Sequence, residues 1–468
     1  MLLLACTPPP TVVSTEVPSP PATLHFDGVA TLTWNGEHIV AAWEAATGEG
    51  PITYEVTATD HHGASEHSWT VAYTELALEG LTVGEYDVRV EATDALGDTL
   101  GSDVVLTQLV GRNRVVYRSE VPLPGAADVW GQDSTVVIAG RESGLSWMVV
   151  DASDPERPVV LETRYGAGYV KDIKIADGLM FTNGECGCRT DSPEWEAYDR
   201  VGVRIFDFAD PSNPKLVGAI GGDTAASVHN VSYESGVVYV SDNDADAVGI
   251  YSIEDPSDPV HLGDWVPPKA FVHDQVVLDD KLYVAFWAGF AIVDVSDPAK
   301  PVDEVLFLRE GPSAVHNIWP TQDGSHVLTT DERPGGHVRI YDVRDPSDVV
   351  EVAAFQTTDK HIVHNVHVRG DFAYVSYYVD GLYVLDLSDP ADPQVVGWYD
   401  SYTLDLDTGH SHDTAIPSEE HTHDSRLYDG AWGVWPFGTY LALGDMQRGL
   451  ILLDHVPDVV DAPAHEHP

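Results

Sequence analysis

The stretch LYVLDLSDPADPQVVG, residues 382–397, decides the fold. An apolar run leads into Asp-Pro-x-x-Pro, and a second apolar run follows at once. Asp accepts hydrogen bonds from nearby backbone N–H groups and Pro presets φ, so the phrase reads as strand, turn, strand. It returns as VDASDPERP (150–158), FDFADPSNP (206–214), YSIEDPSDP (251–259), VDVSDPAKP (293–301), YDVRDPSDV (341–349) and LDLSDPADP (385–393). The intervals are 56, 45, 42, 48 and 44 residues. A period in the forties built from strand-like segments predicts a β-propeller with one four-stranded blade per repeat.

A second phrase, cleanest as VHNVHV at 363–368, opens the first strand of a repeat. The equivalent positions are Asp128, Asp172, Asn230, Asp274, Asn317, Asn365 and Trp432, which predicts seven blades. The last repeat has three strands, in GAWGVWP, TYLALGD and GLILLDH. RVVYRSEVPL (114–123) is an orphan with fourth-strand character. It is expected to complete the seventh blade, which removes exposed sheet edges.

The domain organisation follows. Residues 1–22 begin MLLLAC and continue as a Pro/Ser/Thr-rich tether. Leu-Leu-Ala-Cys resembles a bacterial lipobox, which implies lipidation of Cys6 and a place in the bacterial cell envelope. Residues 23–108 alternate apolar with polar in short runs such as ITYEVTATD and EYDVRVEATDALG. They predict a small β-sandwich with Trp43 between its sheets. LEGLTVGEYDVRVEATDALG resembles the tyrosine-corner end of a fibronectin type III domain, with Leu81, Gly84 and Tyr86 as markers, and implies a spacer. Residues 113–457 form the predicted propeller, and 458–468 an acidic, His-containing tail. The fold class is therefore all-β: a seven-bladed β-propeller preceded by an immunoglobulin- or fibronectin-like sandwich.

The runs FAIVDVSDP and LYVLDLSDP resemble the LVIVD repeat. The last third of the chain looks like the choice-of-anchor B family of surface-attached bacterial propellers. The resemblance spans roughly 113–455 and implies a secreted, anchored protein, with no activity that transfers by residue.

Charge narrows the partners. The chain has 76 acidic and 24 basic residues, a formal net charge of −52. Such a field repels nucleic acid and anionic lipid, so membrane contact is expected only through the lipid anchor. The expected partner is a protein or glycan at the cell surface. Three cysteines are too few for a disulfide framework, and Cys186-Gly-Cys188 is too tight for a relaxed bridge. Gly-x-Ser-x-Gly, phosphate-loop, Gly-x-Gly-x-x-Gly and His-Glu-x-x-His motifs are absent from the sequence.

The candidate chemistry lies at the His-Asn end of the repeats. His229, His273, His316 and His364 fill one column, each directly before the Asn or Asp that opens a blade. The same column holds Ala127, Lys171 and Ala431 in the other three blades. Four neighbouring blades should therefore set an arc of imidazoles on one side of the channel mouth, suited to a transition metal (Zn, Cu or Fe). Alternatively, each histidine hydrogen-bonds the adjacent blade. Acids ending the second strands, Glu185, Asp242, Asp331 and Asp445, would add oxygen ligands, which also admits Ca, or cap turns. His410 and His412, then His421 and His423, form two His-x-His-Asp pairs in the connection before the seventh blade. In extended chain each pair presents both rings on one face.

Two functions are open at this point. One is a lipid-anchored, non-catalytic binding protein of the cell surface or periplasm. The other is a His-ligated metalloprotein, an oxidase or hydrolase, with its ion at the channel mouth.

Overall fold

The computed structural model describes residues 23–26, 29–34, 39–48, 50–60, 66–78, 84–101, 106–110, 114–140, 145–165, 170–184, 202–221, 228–242, 245–269, 271–311, 313–402, 425–438 and 440–455. The chain divides into two compact units, Met1–Val110 and Gly111–Pro468. Among the described residues all regular structure is β apart from one 3-10 turn, Ser425–Tyr428.

Among its described residues the first unit holds two antiparallel sheets. One is formed by Val29–Trp34, Ile39–Trp43 and Glu75–Leu78, the other around Thr53–Asp60 and Gly84–Thr93. Their inward-facing residues make one core that includes Trp43, Tyr54, Val56, Leu78 and Val90. Trp43 packs on Tyr54 of the other sheet, ring centroids 5.4 Å apart, as its expected place between the sheets requires. Leu81 lies outside the described residues.

The second unit contains seven four-stranded antiparallel sheets among its described residues. Their first strands are Ala126–Gln132, Ile173–Ala176, Val228–Glu234, Val272–Leu278, Val315–Pro320, Val366–Arg369 and Ala431–Phe437, numbered here as sheets I to VII. Each first strand packs against that of the next sheet, and sheet VII returns to sheet I. The three strands of sheet VII are completed by Val115–Pro122, which pairs antiparallel with Gly449–His455. The orphan segment therefore takes the place expected of it.

Burial follows position. First strands are crowded on both faces, so Val272–Val277 is buried throughout and shows no alternation. Fourth strands carry their exposed residues outward, as in Val302–Leu308. Between neighbouring sheets lie apolar layers, such as Val137, Trp147 and Val149 of sheet I against Ile173, Met180 and Phe206 of sheet II.

The Asp-Pro phrase makes two successive turns. Where the third strand ends in Asp, that Asp accepts a hydrogen bond two residues on: Asp151 from Ser153 N (2.9 Å), Asp294 from Ser296 N (2.9 Å), Asp386 from Ser388 N (2.9 Å). The Asp before Pro repeats the bond, as Asp210 does with Ser212 N at 3.1 Å and Asp345 with Ser347 N at 2.9 Å. In an up-and-down sheet these third-to-fourth-strand turns lie at the end opposite the start of the first strand. The His-Asn phrase is therefore on the other face of the ring.

Candidate metal centre

The His-Asn phrase sits on a defect in the ladder. In sheets III, IV and V the register of the first two strands slips at His229-Asn230, His273 and His316. A β-bulge places two residues opposite one and re-aims their side chains. Consecutive residues can then line the same space, and His229 with Asn230 and His364 with Asn365 do so.

The four imidazoles form an unbroken row. Ring centroids are 4.1 Å apart for His229–His273, 3.7 Å for His273–His316 and 4.4 Å for His316–His364. His273 Nδ1 meets the His316 carbonyl oxygen at 3.0 Å, and His364 Nδ1 meets that of Trp432 at 2.5 Å. Both bonds cross to the next sheet. A carbonyl only accepts, so each Nδ1 carries the proton, and Nε2 of the neutral ring is the lone-pair atom. Burial, reinforced by the neighbouring imidazoles, holds His273 and His316 well below the ordinary histidine value of 6.5. Both rings are neutral at pH 7, the form that binds a metal.

Sheet V adds a carboxylate. Glu332 Oε2 lies 3.3 Å from His316 Nε2, and Oε1 accepts the Tyr378 hydroxyl at 2.6 Å. Tyr378 is fully buried with φ at +40°, a conformation a bulky residue adopts only when its surroundings enforce it. Paired backbone bonds with Ala431 (2.9 and 3.1 Å) hold it there. Two overlapping sets result, His229/His273/His316 and His316/Glu332/His364, each with ligand atoms within 4.8 Å of one another. A small cavity of about 20 Å³ lies against the row, lined also by Asp128, Lys171 and Trp432. That volume admits a water or a single ion and no larger ligand.

The expected acids are placed elsewhere. Asp331 is fully buried, but its Oδ2 accepts Arg309 Nη1 and, at 3.1 Å, Arg339 Nε. Two guanidiniums thus claim the carboxylate assigned to the metal, and the adjacent Glu332 reaches the histidines instead. Asp242 accepts Ala245 N at 3.1 Å and Asp445 accepts Gln447 N and Arg448 N at 2.9 Å, both as turn caps. Two adjacent acids at the end of a strand were the only signal for Glu332, and nothing in the sequence marked Tyr378. His410, His412, His421 and His423, with Cys6, Glu185, Cys186 and Cys188, lie outside the described residues.

The LVIVD repeat model matches residues 273–304 and 362–401, within sheets IV and VI. No curated protein matches the chain. Among solved structures, the β-propeller domain of Myceliophteria thermophila Cps50 (Swd1) aligns with a TM-score of 0.50 at 12% identity, covering 72% of this chain and 99% of that one. The computationally designed Ika8 protein aligns at 0.47 and 10% identity, covering 74% and 100%. The class is therefore a β-propeller carrying LVIVD repeats. The likeness to Cps50 bears on the fold alone.

The buried neutral histidines set a pH dependence. Below pH 6.5 the unfolded chain takes up protons at these positions and the folded chain does not, so stability falls as pH falls. Each such group contributes up to about 1.4 kcal/mol per pH unit. Asp128, raised chiefly by burial, acts with the opposite sign. Comparing wild type with His316→Gln isolates the histidine: in denaturant melts between about pH 5 and 7.5, the variant should lose stability less steeply below pH 6.5. Parallel slopes would show that His316 titrates normally in the fold.

Proposed function

We propose that the repeat unit is a binding module of seven blades closed into one ring, and that it holds a transition-metal ion at its channel mouth. The ligands are drawn from two sets that share His316: Nε2 of His229, His273 and His316, or Nε2 of His316 and His364 with Glu332 as the carboxylate. The row of four imidazoles from four successive sheets carries this reading. Nδ1 donation to a backbone carbonyl, seen for His273 and His364, is the arrangement that fixes the tautomer and orientation of metal-bound histidines. Imidazole-rich sites favour Zn, Cu or Fe over Ca or Mg. Bonds of about 2.0–2.1 Å in tetrahedral geometry need ligand atoms about 3.3 Å apart, so the three-residue set that takes the ion closes by up to about 1.5 Å on loading, with water in the remaining position.

The reading is one of binding, with no reaction assigned. The enzyme alternative draws support from the His316/Glu332/His364 set, since two histidines and one carboxylate leave coordination positions open to a substrate. Against both stands the plainer role in which the histidines only staple one sheet to the next.

Metal analysis separates these. Tag-free protein, loaded with Zn, Cu or Fe and desalted, should retain about one ion per chain, and the His273→Ala/His316→Ala double variant should retain none. A metal-free wild type leaves only the staple. In the same assay Glu332→Gln should weaken retention about tenfold or more with little change in stability. Asp331→Asn should cost about 3 kcal/mol or more, by leaving Arg309 and Arg339 short of a buried partner, and keep the metal. Equal metal loss from both variants would mean that the ion site does not discriminate the two acids.

Placement in the cell envelope is part of the proposal and rests on Leu-Leu-Ala-Cys and the tether that follows. A lipid on Cys6 would fix the chain at a membrane its own charge repels, with a protein or glycan as partner. Fatty-acid labelling in a bacterial host should mark the full-length precursor and not its Cys6→Ser variant; equal labelling of the two would remove the anchor.

A further inference from the structure

One residue beyond the histidine column, six sheets turn a carboxyl or amide toward the axis: Asp128, Asp172, Asn230, Asp274, Asn317 and Asn365. Further along the same strands a second cavity, of about 30 Å³, opens between Asp128, Lys174, Asp274 and Asn365, with Trp130 and Trp319 also in its wall. Most of the polar ring is committed to holding sheets together. Asp172 Oδ2 accepts Val231 N at 2.6 Å, Asn317 Oδ1 accepts Val366 N at 2.9 Å, and Asn317 Nδ2 donates to Asp274 Oδ2 at 2.6 Å.

Two oxygens are left over. Asp128 Oδ1 and Asn365 Oδ1 are buried without a hydrogen-bond partner. Their residues are 5% and 8% exposed, and both line the upper as well as the lower cavity. An unmet acceptor in this setting costs about 1–3 kcal/mol, so two on residues that line one polar cavity ask for a ligand. Electrostatics names its sign. Three buried carboxyl groups, Asp128, Asp172 and Asp274, stand around one partly buried ammonium, Lys174, which bonds Asp172 and lies 2.7 Å from Asp128 Oδ2. Carboxyl groups here outnumber the ammonium three to one. The seventh sheet leaves room: Gly433 lies where a Cβ would come within 2.7 Å of Asp128 Oδ1.

We propose that this lower cavity is a second, separate site, for a hard divalent cation of the Ca²⁺ class, with Asp128 Oδ1 and Asn365 Oδ1 as protein ligands and water completing the shell. Oxygen donors suit such a cation and not the nitrogen-seeking metals of the histidine row. The proposal does not depend on that row being metallated.

The test uses the full chain, stripped with a chelator and titrated with CaCl₂ by calorimetry and with Tb³⁺ by luminescence. Trp130 and Trp319 are close enough to sensitise a lanthanide in the cavity, which separates it from weak binding over the acidic surface. Wild type should bind one Ca²⁺ with a rise in Tm, and Ca²⁺ should displace Tb³⁺. Asp128→Asn should weaken binding about tenfold or more, and Asn365→Asp, which adds a carboxylate ligand, should tighten it by a similar factor. The His273→Ala/His316→Ala variant should bind Ca²⁺ as wild type does. Absence of Trp-sensitised Tb³⁺ emission, or Ca²⁺ affinity that neither Asp128→Asn nor Asn365→Asp moves, would overturn the proposal, leaving a proton on Asp128 as the compensation.

Discussion

In sheets III, V, VI and VII one backbone carbonyl at the start of the first strand is where the preceding sheet is joined. Asn183 Nδ2 of sheet II donates to the His229 carbonyl of sheet III. His273 does so to His316, Thr330 to His364, and both His364 and Ser376 to Trp432. A buried carbonyl must find a donor, and here the donor always comes from the preceding sheet. The bulge that frees this carbonyl from the ladder also aims the imidazole at the axis. Ring cohesion and site geometry therefore share one cause, and a change that relaxes one disturbs the other.

This coupling explains what could be read in advance. The Asp-Pro turns were legible because every bond in them spans two or three residues. The histidine column was legible because a repeated phrase puts equivalent residues at equivalent places around a ring. The choice between Asp331 and Glu332 was not. It depends on Arg309, from the end of one sheet, and Arg339, from the third strand of the next, meeting at one carboxylate. Lys174 was hidden for a similar reason. A lysine in KDIKIA reads as a solvated residue until Asp128 of another sheet and the face of Trp130, 4.5 Å from its Nζ, are brought to it.

Along the axis the channel changes chemistry in layers: imidazole nitrogens at the mouth, carboxyl and amide oxygens next, aromatic rings after them. In the last layer Trp130 stacks on Trp435 with centroids 3.4 Å apart, and His367 packs edge-on against Trp319 at 4.4 Å. Such layering is what a set of parallel first strands yields, since each residue step moves the whole ring to a new composition.

The pairing of Val115–Pro122 with Gly449–His455 also sets a clock. At synthesis rates of about 5–20 residues per second, the first of these strands waits on the order of tens of seconds for its partner. Until then Val121, almost fully buried in the finished ring, and the whole unpaired edge of that segment face solvent. The ring cannot close on the ribosome before its C-terminal strand has emerged. Its formation is a late, single event that joins the two ends of the unit, and partial chains carry an open edge for as long as they exist.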